Sequence, residues 1–255
     1  MIRIKQLSKS FSSLSGTHLI LNAVSFEVPS GCFTTIFGPN GCGKTTLVNI
    51  IAGLDQNYTG TIEGLDDAKR QVGFVFQDYR RSLLPWHTVR DNIMFPLELQ
   101  GLSCRERNRR LEELLSVVPL KLDLKQRVYS LSGGQAQAVC ILRALIIQPR
   151  ILILDEPFAA LDYERTLALR KFISDIAKSM KLTVLFISHD LEEAIMLGDQ
   201  VVFLSKHPTH VVETLKIDLS YPRSLEITTS AQFTTLRDRS VKIFQECIGA
   251  TEVNL

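Results

Sequence analysis

The sequence predicts an α/β fold with a mostly parallel β-sheet. Residues 151–154 are apolar without alternation, which is typical of a strand that is covered on both faces. A second apolar run ends at Phe37, continues into a glycine-rich loop and is followed by the helix-like segment 47–52. Two further apolar runs, 72–76 and 182–187, each lead into polar residues. Strands that alternate with loops and helices in this way indicate a parallel sheet.

The composition is that of an ordinary globular protein. The 255 residues are 45% hydrophobic and 22% charged, and a net charge of +2 is too small to indicate a nucleic-acid partner. The five cysteines are odd in number and widely spaced, which indicates neither a disulfide framework nor a metal site and favours a reducing compartment. The first residues alternate like a strand rather than a signal peptide, and charges interrupt every apolar run before it reaches the length of a membrane helix.

Residues 38–46 match the phosphate-binding loop pattern G-x-x-x-x-G-K-[ST], between the strand and the helix that this pattern requires. The glycines allow successive N–H groups to turn inward around phosphate oxygens. Lys44 supplies a positive charge to the β- and γ-phosphates, and the Thr45 hydroxyl is a ligand for Mg²⁺. Cys42 lies beside a helix start and near Lys44, and both neighbours predict a lowered pKa for its thiol.

Two carboxylates, Asp155 and Glu156, follow the buried strand at the sheet edge where ligands bind in open α/β folds. Asp155 is placed to reach Mg²⁺, directly or through water. Glu156 is placed to orient or deprotonate an attacking water. The alternative is an acidic pair that caps the turn at Pro157, which becomes the weaker explanation beside a phosphate loop.

Gln77 and His189 follow the other two predicted strands in the same manner. Gln77 is placed to contact the metal or the attacking water, and His189 to hydrogen-bond the γ-phosphate or that water. Each is also explained by a purely structural role at a strand end. Asp190 and Glu193 have the spacing of a capping box, so part of this segment is structural.

The segment Leu131-Ser132-Gly133-Gly134-Gln135 precedes an apolar run that is typical of a buried helix. Paired glycines let the backbone approach a charged ligand closely. At a helix N-terminus, free N–H groups and the helix dipole favour an anion. A simple Ser-Gly-Gly cap of the helix is the alternative.

In their order along the chain, the motifs resemble those of the nucleotide-binding subunit of an ABC (ATP-binding cassette) transporter. The resemblance runs from about Ile2 to Leu204 and includes Ala160-Leu161-Asp162. Segment 131–135 is its most specific motif, because other phosphate-loop NTPases lack it. One departure is Ala136-Gln137-Ala138, where the family usually has Arg-Gln-Arg.

The resemblance implies an ATPase with a P-loop NTPase core, a mostly parallel sheet, an antiparallel β edge and a helical signature subdomain at about 78–145. A short C-terminal extension, 205–255, is expected to pack on this core of residues 1–204. The resemblance further implies that two cassettes, identical or paralogous, pair head to tail. Residues 132–134 of one cassette would then close over the ATP held by Lys44 of the other.

The resemblance also implies a full set of site residues, with ATP and Mg²⁺ as ligands. The expected catalytic residues are Glu156, His189, Gln77 and Lys44. The expected metal contacts are Thr45, Gln77 and Asp155. The expected nucleotide contacts are Phe11, which would stack on adenine, Gly38, Asn40, Gly41, Cys42, Gly43, Lys44, Thr45, Thr46, Ser132, Gly133, Gly134, Gln135 and Asp162.

The segment from Gln77 to Asn92, together with parts of the tail at 207–213 and 219–223, is similar to ATPases of importers for nitrate, sulfonates, taurine and related small anions. This implies a peripheral subunit on the cytoplasmic face of the inner membrane that drives uptake of a small anion, bicarbonate included. Transmembrane permease subunits would contact the segment from Gln77 to Asn92. Leu83 to Trp86 would help form the groove that receives a short permease helix. An extracytoplasmic solute-binding protein would be an indirect partner. Trp86 is otherwise explained as a core anchor.

Three other classes are weighed against this interpretation. The first is an ATPase of an exporter or of a lipoprotein-release system, and only the importer-like sequence of segment 83–92 argues against it. A soluble ABC ATPase acting on DNA or ribosomes would usually show a coiled-coil insertion or two cassettes, and a kinase-like NTPase would lack the segment 131–135. The transported solute cannot be read from these residues.

Overall fold

The computed structural model describes residues 1–13, 16–65, 72–118, 122–159 and 161–249. Ala160 of the predicted Ala-Leu-Asp motif and the end of the predicted C-terminal extension lie outside this part of the chain. The chain divides into two compact units, Met1–Arg70 with Leu185–Leu255, and Gln71–Val184. The division into residues 1–204 with a subdomain at 78–145 and an extension at 205–255 stays a prediction.

Strands and helices are numbered in chain order. The strands are β1 (Ile2–Ser13), β2 (Gly16–Val28), β3 (Phe33–Phe37), β4 (Thr59–Glu63), β5 (Val72–Val75), β6 (Ile151–Asp155), β7 (Val184–Ile187), β8 (Gln200–Leu204) and β9 (Val211–Lys216). The helices are α1 (Lys44–Ile51), α2 (Tyr79–Ser82), α3 (Val89–Leu99), α4 (Cys104–Val117), α5 (Gly133–Leu145), α6 (Tyr163–Ser179), α7 (Leu191–Leu197) and α8 (Ala231–Ile248). Short 3-10 turns lie at Val128–Ser130 and Leu225–Thr229.

The first unit contains two groups of strands. An antiparallel sheet has the order β2-β1-β4. The other strands follow the order β7-β3-β8-β9, in which β3 and β8 are parallel and β8 and β9 are antiparallel. All five residues of β3 are buried, as expected of a strand with both faces covered. β3 therefore delivers the loop that follows Phe37 to the carboxyl edge of parallel strands.

Helix α8 is held in the first unit by its apolar face. Phe233, Ile243 and Cys247 are buried in a cluster that also contains Phe37 and Phe203. The ring of Phe244 on α8 lies 5.1 Å from the ring of Phe37, which is the last residue of β3. The chain after β9 thus packs directly behind the strand that leads into the phosphate loop.

The second unit combines two parallel strands with helices. β5 and β6 pair in parallel, with Val75 opposite Leu154. Every residue of β6 is buried, which agrees with its uninterrupted apolar sequence. Helix α5 is buried along most of its length, because its sequence is apolar on nearly every side. No helix in the described parts of the chain combines the length and apolar character needed to cross a bilayer.

Candidate nucleotide site

The phosphate loop in the first unit joins β3 to α1. Gly41 and Gly43 have φ angles of +76° and +99°, and Gly43 is the N-cap of α1. The side chain of Lys44 is almost fully buried, and its ammonium donates hydrogen bonds to the carbonyl oxygens of Gly38 (2.9 Å) and Pro39 (3.0 Å). Two neutral carbonyl groups do not balance a buried positive charge. The loop therefore has the charge and the backbone shape for a phosphate group.

Gly43 is required by its surroundings as well as by its φ angle. A Cβ at this position would lie 2.9 Å from Cγ2 of Ile20 and 3.2 Å from Cδ2 of Leu21. Strand β2 therefore packs against the loop so closely that only glycine fits. Ile20 and Leu21 of β2 thus pack against the loop within the first unit.

Cys42 corrects one sequence-based expectation. Its side chain is only 2% exposed, and burial raises the pKa of its thiol above the ordinary value. The neighbouring Lys44 ammonium lowers this pKa, but the effect of burial is larger. The prediction of a lowered thiol pKa at Cys42 was therefore wrong, because the sequence does not reveal that the sulfur points into the protein.

His189 is exposed at the carboxyl end of β7, also in the first unit. Its neighbours are fixed by hydrogen bonds, since the Ser188 hydroxyl donates to the Glu193 carboxylate (2.7 Å) and the Asp190 N–H donates to the Ser188 hydroxyl (3.0 Å). Asp190 caps α7, because its carboxylate accepts a hydrogen bond from the Glu193 N–H. In a full capping box the Glu193 carboxylate would accept from the Asp190 N–H. Here it accepts from the Ser188 hydroxyl. The role of Ser188 was not predicted, although Ser188 stands beside His189 in the sequence.

In the second unit, Gln77 and Glu156 come together. The side-chain amide of Gln77 donates a hydrogen bond to Oε2 of Glu156 at 3.2 Å. Asp155, the last residue of β6, is 3% exposed, whereas Glu156 is partly exposed and has a φ angle of +45°. The left-handed backbone turns the Glu156 side chain away from the direction that a continuing strand would give it.

The segment 131–135 lies at the start of α5. Ser132 is the N-cap, and its side chain and that of Gln135 form a reciprocal capping box. A Cβ at Gly133 would lie 2.9 Å from the hydroxyl oxygen of Tyr79, so a larger residue there would have to displace this hydroxyl group. The prediction that Ser132 and the glycines form a helix N-terminus is confirmed.

Asp162 also begins a helix. It is the N-cap of α6, where its carboxylate accepts a hydrogen bond from the Arg165 N–H at 3.0 Å and lies 3.1 Å from the Arg165 guanidinium. This arrangement fixes the carboxylate at an exposed helix end.

Phe11 projects from β1 with 46% of its surface exposed. The ammonium of Lys9 lies 4.8 Å from the centre of the Phe11 ring and is itself paired with Asp55 at 2.7 Å. An exposed aromatic ring with a fixed cation nearby is suited to stacking on a planar base.

The predicted site residues thus lie in two groups. The phosphate loop, Phe11 and His189 belong to the first unit, and Gln77, Asp155, Glu156, Asp162 and the start of α5 belong to the second.

Comparison with known proteins identifies the family. A family model described as ABC transporter matches residues 21–159. The chain belongs to the ABC transporter family. It is therefore an ATPase of the ABC class, and the predicted fold class and family resemblance are confirmed.

The chain is similar to relatives over nearly its whole length. It is 36% identical over 249 residues to the aliphatic sulfonates import ATP-binding protein SsuB of Bacillus subtilis (strain 168), covering 96% of this chain and 94% of that protein. It is 37% identical over 234 residues to the spermidine/putrescine import ATP-binding protein PotA of Legionella pneumophila (strain Paris), covering 89% of this chain and 63% of that protein.

Solved structures share the fold. The dimeric structure of MJ0796, a bacterial ABC transporter cassette, is 30% identical with a TM-score of 0.72, covering 86% of this chain and all of that one. A dimeric post-hydrolysis state of the same cassette with ADP and Pi is 29% identical, with the same TM-score and coverage.

Proposed function

We propose that this ABC ATPase drives uptake of a small anion of the sulfonate class, as one of two paired cassettes bound to separate membrane subunits. The start of α5 carries the proposal of a paired cassette, because a capped helix N-terminus with two glycines provides an anion site in addition to the phosphate loop. The sulfonate class is supported by a relative named for sulfonate import that aligns with 96% of this chain. The anion-importer resemblance of the segment 77–92 points the same way.

The first unit supplies the groups for ATP. Lys44 offers a buried charge to the β- and γ-phosphates, and Phe11 offers an exposed ring to the adenine. The loop residues Gly38, Asn40, Gly41, Cys42, Gly43, Thr45 and Thr46 are proposed to surround the phosphates. Thr45 lies exposed in the first turn of α1, where N–H groups and the helix dipole favour an anion.

Mg²⁺ is proposed to be held by Thr45, Gln77 and Asp155. These side chains offer hydroxyl, amide and carboxylate oxygens as ligands, and Mg²⁺ prefers oxygen ligands. When bound, the ion neutralises charge on the phosphates.

Glu156 is proposed to orient and deprotonate the attacking water. Its carboxylate is fixed by the Gln77 amide, and its left-handed backbone is a conformation that proteins retain mainly where function requires it. His189 is proposed to hydrogen-bond the γ-phosphate or the water from a segment that Ser188 and Glu193 hold in place.

The second cassette is proposed to pair head to tail with the first. Ser132, Gly133, Gly134 and Gln135 would face the partner's ATP, with Asp162 at the same interface. The dimeric cassette at 30% identity supports pairing of two chains.

The permease is proposed to bind a groove in the second unit. This groove has a volume of about 420 Å³ and is lined by Arg80, Arg81, Leu83, Pro85, Val128, Tyr129, Leu131 and Ala136. Tyr129 is 77% exposed and Trp86, next to Pro85, is 67% exposed. The interpretation of Trp86 as a core anchor was therefore wrong, and exposed aromatic residues of this kind are common interface anchors. This contact would place the chain on the cytoplasmic face of the membrane, with a solute-binding protein acting on the far side.

Uptake measurements test the proposal. The chain is expressed with a permease and a solute-binding protein from the same organism, and entry of labelled ethanesulfonate, nitrate and spermidine is compared. We expect ethanesulfonate uptake that falls to background in Lys44→Ala, because the variant lacks the charge for the phosphates. Spermidine uptake without sulfonate uptake would contradict the anion assignment, and export of label would contradict import.

A further inference from the structure

Thr209 lies in the turn between β8 and β9, fully buried beside the phosphate loop. Its hydroxyl donates a hydrogen bond to the carbonyl oxygen of Cys42. Its N–H donates to the carbonyl oxygen of Ile20, and its carbonyl oxygen accepts from the N–H of Asn22, each at 2.8 Å. The backbone of Thr209 is thus anchored to β2, while its side chain reaches the loop that the proposed function assigns to phosphate.

The bond to Cys42 determines the direction of the next N–H group. The peptide between Cys42 and Gly43 is planar, and in a trans peptide the C=O and N–H point to opposite sides. Since the Cys42 carbonyl oxygen points toward Thr209, the Gly43 N–H points away from it. Gly43 is a loop glycine with a φ of +99°, a conformation used where backbone N–H groups turn toward an anion.

The same peptide is also confined by β2. A Cβ at Gly43 would lie only 2.9 Å from Cγ2 of Ile20, so the Ile20 side chain lies close to this peptide. The hydrogen bond from Thr209 holds the rotation of the peptide, and Ile20 packs beside it. Both constraints come from residues outside the phosphate-loop motif.

We propose that Thr209 is a positioning residue for phosphate binding, which acts by holding the Cys42 carbonyl so that the Gly43 N–H is aimed at the nucleotide phosphates. This inference rests on the proposed assignment of the loop to ATP. A purely structural role would be to satisfy the buried Cys42 carbonyl, and would change stability without changing affinity for the nucleotide.

The test compares Thr209→Val with Thr209→Ser. Valine keeps the shape of threonine and loses the donor, whereas serine keeps the donor. Thr35→Val is a matched control, because Thr35 is an equally buried threonine in the same unit whose hydroxyl donates to the carbonyl of Ala194 at 3.4 Å, away from the loop. The dissociation constant for ADP is measured by calorimetry, and thermal unfolding is followed without nucleotide.

We expect Thr209→Val to weaken ADP binding roughly tenfold, which corresponds to one lost hydrogen bond. Thr209→Ser and Thr35→Val are expected to stay within about twofold of the original protein. If Thr209→Val does not fold, Thr209→Ala carries the same expectation. The role of Thr209 would be overturned if ADP binding is unchanged in the folded valine or alanine variant, or if Thr35→Val weakens it equally. The proposed function would not be affected by either result. Failure of the unsubstituted protein to bind ADP would overturn the proposed function together with the role of Thr209.

Discussion

Glu156 combines an uncommon backbone conformation with the role that is proposed for its carboxylate. Its φ of +45° is uncommon for a residue with a side chain and persists only where neighbouring structure holds it. Its carboxylate accepts from Gln77, which follows β5, while Glu156 itself follows β6. Two adjacent parallel strands thus bring the two side chains together at one edge of the second unit.

The buried thiol of Cys42 gives a prediction at this scale. Thiolates react with alkylating agents and thiols do not, so a raised pKa and burial both slow modification. We expect iodoacetamide at neutral pH to label the exposed Cys104 at least about tenfold faster than Cys42. Peptide mass spectrometry over time measures both rates in one sample, with Cys104 as the internal control. Equal rates would contradict the burial of the Cys42 sulfur.

Helix α7, which follows His189, ends on a cation supplied by the chain after β9. The guanidinium of Arg223 donates hydrogen bonds to the carbonyl oxygens of Ile195 (2.8 Å), Gly198 (2.7 Å) and Leu219 (3.0 Å). The carbonyl groups of Ile195 and Gly198 lie at the end of α7, where a helix cannot satisfy its last carbonyl groups by itself. Arg223 therefore fixes the C-terminal end of α7, and His189 immediately precedes the N-terminal end of the same helix.

Removal of this cation is expected to destabilise the protein. Arg223→Ala should lower the free energy of unfolding by about 3 kcal/mol, because several carbonyl groups lose their donor. The free energy of unfolding of Arg223→Lys should lie between those of the original protein and Arg223→Ala, since an ammonium has fewer hydrogen-bond donors than a guanidinium. Arg239→Ala is the control, because its ion pair with Glu213 is exposed and should contribute at most about 1 kcal/mol. Urea unfolding measures all three, and equal effects of Arg223→Ala and Arg239→Ala would contradict the role of Arg223.

The elements of the site were predictable because their signals are local. The apolar run at 151–154, the glycines of the loop and the Ser132 cap each depend on residues close in sequence, and the structure has β6, the loop and α5 at these places. The bond from Thr209 to Cys42 and the approach of Tyr79 to Gly133 join residues distant in sequence. Such pairs are decided by packing of the whole unit, for which one sequence carries no local pattern. The burial of the Cys42 sulfur was missed for the same reason.

At the scale of the whole molecule, the proposed site is complete only with a second chain. The first unit carries the phosphate loop and the second carries the start of α5, and the proposal assigns these to the ATP of different chains. The departure at Ala136-Gln137-Ala138 lies in buried positions of α5, whereas Ser132 at the start of this helix is partly exposed. Relatives named for sulfonate import and for spermidine/putrescine import both align with this chain.

In the proposed pair, Ser132 of one chain contacts the ATP that is bound by the other. Glu156→Gln should preserve ATP binding and stop hydrolysis, so that ATP holds the pair together. Ser132→Arg in this background should leave ATP affinity unchanged and block pairing by its size and position. Ser103→Arg is the matched control, because it places the same side chain at the exposed N-cap of α4.

Sedimentation velocity with Mg²⁺ and ATP measures whether the two chains pair. We predict a dimer for Glu156→Gln and for Glu156→Gln with Ser103→Arg, and a monomer for Glu156→Gln with Ser132→Arg at equal ATP occupancy. A dimer of the same strength in the Ser132→Arg variant would contradict the proposed pairing, because the start of α5 would then be only a helix cap.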